Sequence, residues 1–158
     1  MVWGAIWIGG RSPLVIMDRD AQSKGNGYTA RSYIAAMEEW MHLYRPGTFF
    51  QQDNAKIHTA KRVKRWIEEH GIWLINWPSH SPDLNPIEHV WKKMKDLLRK
   101  RYPQLHLLKD NKADIEVVVA ALKDVWEAIP QADIDHLIKS MPNRLLALRK
   151  ARGWYTKY

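Results

Sequence analysis

Apolar residues run in two rhythms along this chain. Val2–Ile8 and Leu14–Met17 are nearly unbroken runs rich in Val, Ile and Trp, and the Gly9-Gly10 break between them predicts a hairpin. Gln22–Tyr28 is polar and glycine-rich, so it reads as a loop. Thr29 then stands where it can cap a helix whose apolar positions Tyr33, Met37, Trp40, Met41 and Tyr44 keep helical spacing until Pro46-Gly47 ends it. Thr48–Gln52 reads as a short strand delivering Asp53 at its carboxyl end. The helix predicted over Ala55–His70 turns Ala60, Val63 and Ile67 inward and stops at Gly71, and Ile72–Trp77 returns to a strand.

From Asn85 to about Arg101, the positions Ile87, Val90, Trp91, Met94, Leu97 and Leu98 mark an amphipathic helix with basic residues on its other faces. A loop over Tyr102–Asn111 leads to further helices, one carrying Ile115, Val118, Val119, Leu122, Trp126 and Ile129, and others around Ile134–Ile138 and Leu145–Leu148. Pro130 and Pro142 separate them. The element order, strands alternating with helices and then helices alone, predicts an α/β fold with some parallel pairing. No internal repeat, linker or second domain shows in the pattern.

Composition narrows the partners. The chain has 158 residues, 46% of them hydrophobic, enough for one domain with its own core. Its formal charge of +8 favours a polyanion, and nucleic acid is the expected one. With no cysteine there is no disulfide framework and no thiolate metal site, so an intracellular home fits best. No run reaches the roughly 18 apolar residues of a membrane span, and the opening residues lack the features of a signal peptide. A membrane is therefore not an expected partner.

The candidate chemistry lies in two acidic blocks. Asp53 stands in Gln-Gln-Asp-Asn-Ala-Lys-Ile-His (51–58) and Glu88 in Trp-Pro-Ser-His-Ser-Pro-Asp-Leu-Asn-Pro-Ile-Glu-His-Val-Trp (77–91), with 34 residues between the two acids. Carboxylates without Cys suit hard, oxygen-seeking Mg²⁺, and paired ions of this kind drive phosphodiester cleavage. A bland account stands beside this one. Asp53 or Asn54 is a natural cap for the following helix, and Asn85-Pro86-Ile87-Glu88 has the form of a capping-box start with Pro at its favoured place. Asp83 and Asn85 first of all shape the Pro-Asp-Leu-Asn-Pro turn.

Those blocks resemble the second and third acidic motifs of the DDE transposases of the Tc/mariner family. Gln52-Asp53-Asn54-Ala55-Lys56-Ile57-His58-Thr59-Ala60 is similar to the family's Gln-Asp-Asn-x-x-x-His-x-Ala. Trp77 through Trp91 is similar to its Trp-Pro-x-x-Ser-Pro-Asp-Leu-Asn-Pro-Ile-Glu-x-x-Trp, and Ser140-Met141-Pro142-Asn143-Arg144-Leu145 to its closing Ser-Met-Pro-x-Arg segment. The resemblance implies a ribonuclease-H-like mixed sheet flanked by helices, with a core over 1–101 and a C-terminal helical extension over 102–158 in a single partial domain. It implies DNA cleavage and strand transfer with two Mg²⁺ or Mn²⁺ ions in the complete site, and Asp53 and Glu88 as catalytic metal ligands. Asn54, His58, Asp83 and Asn85 would lie beside them. The family's first catalytic Asp, on its first strand, has no counterpart here, nor does its helix-turn-helix region. Asp18 and Asp20 follow the hairpin's outer strand and are expected to be turn acids. The chain alone is accordingly expected to be inactive, and the open sheet edges to leave it poorly soluble or molten.

Lys56, Lys61, Arg62, Lys64 and Arg65 crowd the segment after Asp53, and Lys92, Lys93 and Lys95 the helix after Glu88. They are the expected DNA contacts, binding transposon ends and target DNA with steep salt dependence, while the bland alternative is a solvated basic face. Most of the nine Trp residues are expected in the core. A DNA substrate places the protein in the nucleus of a eukaryotic host, or otherwise in the cytoplasm with the DNA. A homodimer stays open. Two rival readings remain, a non-catalytic DNA-binding remnant of a transposase and a related nuclease using another acid.

Overall fold

The computed structural model describes residues 1–76, 78, 81, 84–109, 111–152 and 154. The chain divides into two compact units, Met1–Trp3 with Val15–Ser81, and Gly4–Leu14 with Pro82–Tyr158.

The first unit is a small α/β body. Strand β1 (Val2–Trp3) pairs antiparallel with β4 (Val15–Ile16), Val2 opposite Ile16 and Trp3 opposite Val15. Helix α1 (Ala30–Glu38) starts where Thr29 predicts, in a capping box: the Thr29 side chain accepts from the Arg31 amide at 3.1 Å and the Ser32 hydroxyl from the Thr29 amide at 3.4 Å. Its inner face, Tyr33, Ile34, Ala36 and Met37, packs with Val15, Met17, Ile72, Val63, Trp66 and Ile67. Helical spacing carried the prediction on to Tyr44, but the chain turns into a 3-10 segment at Met41–Leu43. There the Tyr44 hydroxyl bonds the Thr48 carbonyl at 2.6 Å and accepts from the Trp73 amide at 3.1 Å. Strands β5 (Phe49–Phe50) and β6 (Trp73–Leu74) pair in parallel, Phe49 opposite Trp73. Among the described residues no ladder joins them to β1 and β4.

Helix α2 spans Lys61–Glu69, six residues shorter at its start than the apolar pattern suggests. Local bonding accounts for the difference. The Ala55 carbonyl accepts from the His58 and Thr59 amides at 2.9 and 3.0 Å and from the Thr59 hydroxyl at 3.2 Å, which closes a single turn. Ala60 is then extended, at φ −57° and ψ 139°, and the helix begins afresh after it.

The second unit is mainly helical. Its hairpin pairs β2 (Ile6–Trp7) with β3 (Gly10–Arg11) about Gly9, whose φ of 79° needs a residue without a side chain. The predicted long hairpin is thus two short ladders, one in each unit. Four helices follow: α3 (Pro86–Arg101), α4 (Lys112–Glu127), α5 (Gln131–Lys139) and α6 (Met141–Lys150). Part of the expected 102–111 loop is a 3-10 turn, Pro103–Leu107. Trp126 is the centre of this core, fully buried and stacked on Trp91 with ring centroids 5.1 Å apart. Its indole N–H donates to the Ser12 carbonyl at 2.8 Å and its own carbonyl accepts from Arg11 at 2.6 Å, tying the hairpin to α4. A Cβ at Gly4 would lie 3.1 Å from the Trp126 ring, so any larger residue there would press on the indole. No helix among the described residues is long and apolar enough to cross a membrane.

Candidate metal and nucleic-acid site

Asp53 lies just past the carboxyl end of β5. It shares a cavity of about 270 Å³ with Gln52, Asn54, His58, Thr59, Lys64, Leu74, Ile75 and Asn76, so the cavity opens where both parallel strands end. Ligand sites of α/β sheets favour that position. The Asp53 side chain is 48% exposed and that of His58 19%. One carboxylate oxygen, Oδ1, receives two partners: the Ala55 amide at 3.0 Å and Nδ1 of His58 at 2.6 Å. Asp53 therefore does not cap α2, which begins eight residues later with no side-chain cap at all. The local, turn-shaping account of this acid therefore holds for the single turn at Ala55–Thr59 and not for α2.

His58 is itself held. Its ring lies against that of Tyr33, centroids 4.2 Å apart at 37°, and its carbonyl accepts from Gln52 Nε2 at 3.4 Å. The Gln52 side chain is fixed in turn by the Tyr33 hydroxyl, which donates to Oε1 at 2.7 Å. Tyr33 is 2% exposed, and burial, opposed by a hydrogen bond with the Trp3 side chain, holds its phenol well above the ordinary tyrosine range. It stays a neutral donor. The sequence reading placed Tyr33 only as a core apolar residue and gave Gln52 no task beyond its place in the motif. Nothing in spacing signals a stack between α1 and a turn 25 residues further on.

Glu88 is exposed in the first turn of α3, its amide 3.2 Å from the Asn85 carbonyl. The predicted capping box is absent, since the Asn85 side chain makes no cap hydrogen bond and is instead buried at 9%. Helix start and Pro86 are as the sequence predicts; the reciprocal cap is not. Asp83 lies outside the described residues. Asp20 is a turn acid, as expected: it accepts from the Thr29 hydroxyl at 2.7 Å and the Gln22 amide at 3.0 Å and pairs with Arg31 at 3.8 Å. Those bonds, the Thr29 hydroxyl first, hold its carboxyl below the ordinary range despite partial desolvation. Among the described residues no group of three or more His, Cys, Asp and Glu is arranged to hold a metal.

Of the basic residues, Lys56, Lys61, Arg62, Lys64, Arg65, Lys92 and Lys95 are exposed, and Lys64 borders the Asp53 cavity. Arg65 pairs with Glu69 at 2.8 Å one turn on. Lys93 is half-buried and pairs with Asp133 of α5, both side chains remaining partly exposed.

The profile of the DDE superfamily endonucleases matches residues 21–109, a span that includes both Asp53 and Glu88. The chain belongs to the DDE superfamily endonucleases of the Tc/mariner transposases. The Tc1 transposase of Caenorhabditis elegans is 35% identical over all of this chain and 54% of its own length. The Tcb2 transposase of Caenorhabditis briggsae is 39% identical over 69% of the chain and 37% of that protein, and the C. elegans Tc3 transposase 30% over 97% and 44%. The chain thus spans about half the length, or less, of the curated relatives it matches. Membership of the DDE superfamily implies a ribonuclease-H-like fold, in line with the mixed α/β body, and a general use of divalent metal ions. The cavity chemistry agrees: Asp53, Gln52, Asn54 and Asn76 offer hard oxygen donors and no thiolate.

Proposed function

We propose that this DDE-family chain forms part of the catalytic region of a DNA transposase, cutting DNA and joining it to a target. The observation that carries this reading is Asp53, held through one oxygen by His58 and the Ala55 amide in a cavity of oxygen donors at the carboxyl ends of a parallel strand pair. Asp53 and Glu88 supply carboxylate ligands for Mg²⁺ or Mn²⁺, two ions in the complete site. Such ions polarise a phosphoryl oxygen and lower the pKa of an attacking hydroxyl. The chain's own residues orient. His58 and the Ala55 amide occupy Oδ1 and direct the rest of the carboxylate outward, Asn54 and Asn76 line the path of the strand, and Lys64 neutralises a phosphate beside them. Lys56, Lys61, Arg62, Arg65, Lys92, Lys93 and Lys95 bind the DNA backbone. In a eukaryotic host this work takes place in the nucleus.

A second reading, DNA binding without cleavage, is favoured by the exposed residues Lys56, Lys61, Arg62, Lys64, Lys92 and Lys95, which need no metal to meet phosphate. One experiment separates the two: nicking of labelled duplex DNA with Mg²⁺ or Mn²⁺ by the wild type, Asp53→Asn and Glu88→Gln, alongside binding across a salt series. Nicking lost in both variants with DNA affinity kept supports the transposase reading. Nicking that survives either substitution overturns the ligand assignment. Binding that weakens steeply with salt, with no nicking by the wild type, leaves the second reading in its place.

A further inference from the structure

Arg144 of α6 is a buried cation, 2% exposed, in a segment beyond the span of the DDE profile match. Its Nε donates to Oγ of Ser140 at 2.8 Å, and its Nη1 lies 3.0 Å from Nε2 of His89. Ser140 Oγ donates in turn to the Leu137 carbonyl at 2.6 Å, which fixes the hydroxyl as acceptor for the guanidinium. A guanidinium only donates, so the His89 nitrogen facing it is the unprotonated acceptor. One connected set of bonds thus runs from the end of α5 through α6 to the first turn of α3. His89 is the residue next to Glu88.

Two features make the link more than packing. The first turn of a helix leaves early backbone N–H groups without helical partners; in α3 Pro86 has no N–H and Glu88 bonds the Asn85 carbonyl, but no side-chain cap at Asn85 takes another. An uncapped turn frays unless tertiary contacts hold it. The gain from Arg144 is geometric: a rigid planar fork reaching two partners from one fixed guanidinium, which lysine lacks.

We propose that Arg144 is a positioning residue, and that its bond to His89 locks the first turn of α3 and with it the carboxylate of Glu88. The inference rests on the reading of Glu88 as a metal ligand. It makes the C-terminal helices part of the catalytic apparatus rather than an appended bundle.

The test compares wild type, Arg144→Met, Arg144→Lys and His89→Leu by site-resolved amide hydrogen exchange, with DNA nicking rate and DNA affinity in parallel. In Arg144→Met, exchange at the Glu88, His89 and Val90 amides is expected to quicken by about tenfold or more while α4 keeps its protection. Where the wild type nicks DNA, the rate is expected to fall by about 10–100-fold with DNA affinity unchanged, and Arg144→Lys is expected to restore neither protection nor rate. Unchanged exchange at the first turn overturns the proposal, as does an equal rise throughout α3 to α6, which marks a merely structural arginine. Should Arg144→Met fail to fold, His89→Leu leaves the bond to Ser140 intact and gives the same reading. A wild type that does not nick DNA, as expected of this chain alone, leaves the exchange pattern to decide this inference by itself.

Discussion

Removing one oxygen from Tyr33 tests how the Asp53 cavity is supported. Tyr33→Phe keeps the ring and so keeps the face that packs against His58 at 4.2 Å, but deletes the donor 2.7 Å from Gln52 Oε1 and the acceptor that the Trp3 side chain uses. The site is 2% exposed, so water does not readily replace what is lost. A buried polar group left without its partner costs on the order of 1–3 kcal/mol, against a total domain stability of about 5–15 kcal/mol. For a chain of this length each kcal/mol lowers Tm by roughly 2–4 °C, so a fall of about 2–12 °C is expected. Urea unfolding followed by tryptophan fluorescence reads the same loss as a lower midpoint at an unchanged slope. A Tyr33→Phe protein as stable as the wild type would show that the Tyr33–Gln52 bond contributes nothing net, and the supporting role given to it would be wrong. Tyr33→Leu removes the stack as well and is expected to cost roughly 0.5–1.5 kcal/mol more through the lost ring contact.

Two further outcomes follow from the second unit. Trp126→Ala empties the centre of that core, strands the Ser12 carbonyl and ends the stack on Trp91, so a loss of about 3–5 kcal/mol is expected; a calorimetric change below about 1 kcal/mol would show that the hairpin does not depend on this indole. Asp135 accepts from the Gly9 amide at 2.9 Å and from Gln131 at 2.8 Å, and these bonds, the Gly9 amide first, hold its carboxyl below the ordinary range. Because the folded-state pKa is the lower one, the stabilisation is fully present above the unfolded value of about 3.9 and is lost as pH falls through the folded value. Wild type is therefore expected to melt above Asp135→Asn at about pH 6 and to converge with it near pH 2, and a gap that persists in acid would refute the assignment.

Much of the molecule was legible because local chemistry and periodicity agreed. Thr29 capped its helix, Pro86 opened α3 at its first helical position, and Gly9 took the left-handed turn between two ladders. The motif strings around Asp53 and Glu88 singled out the two acids and the family. Periodicity failed where side chains competed with the backbone. Ala60, Val63 and Ile67 share a helical spacing, yet α2 begins only at Lys61, because Ala60 is extended and separates it from the single turn that Asp53 and Thr59 bond. The Asn85–Glu88 capping box was a sound reading of residue types, overturned by the burial of Asn85.

The sequence by itself determined which two acids are the candidate ligands, the family with its general use of divalent metal, and the helices that carry most of the basic residues, since these depend on residue type and on spacing within a few turns. Tertiary structure alone decided what holds them in place. Tyr33 meets His58 and Arg144 meets His89 across 25 and 55 residues of chain, at distances set by how helices and turns pack. The same holds for Lys93, indistinguishable in sequence from Lys92 and Lys95 until Asp133 pairs with it. A side chain's type fixes what it can bind, and only the folded neighbourhood fixes which partner it meets.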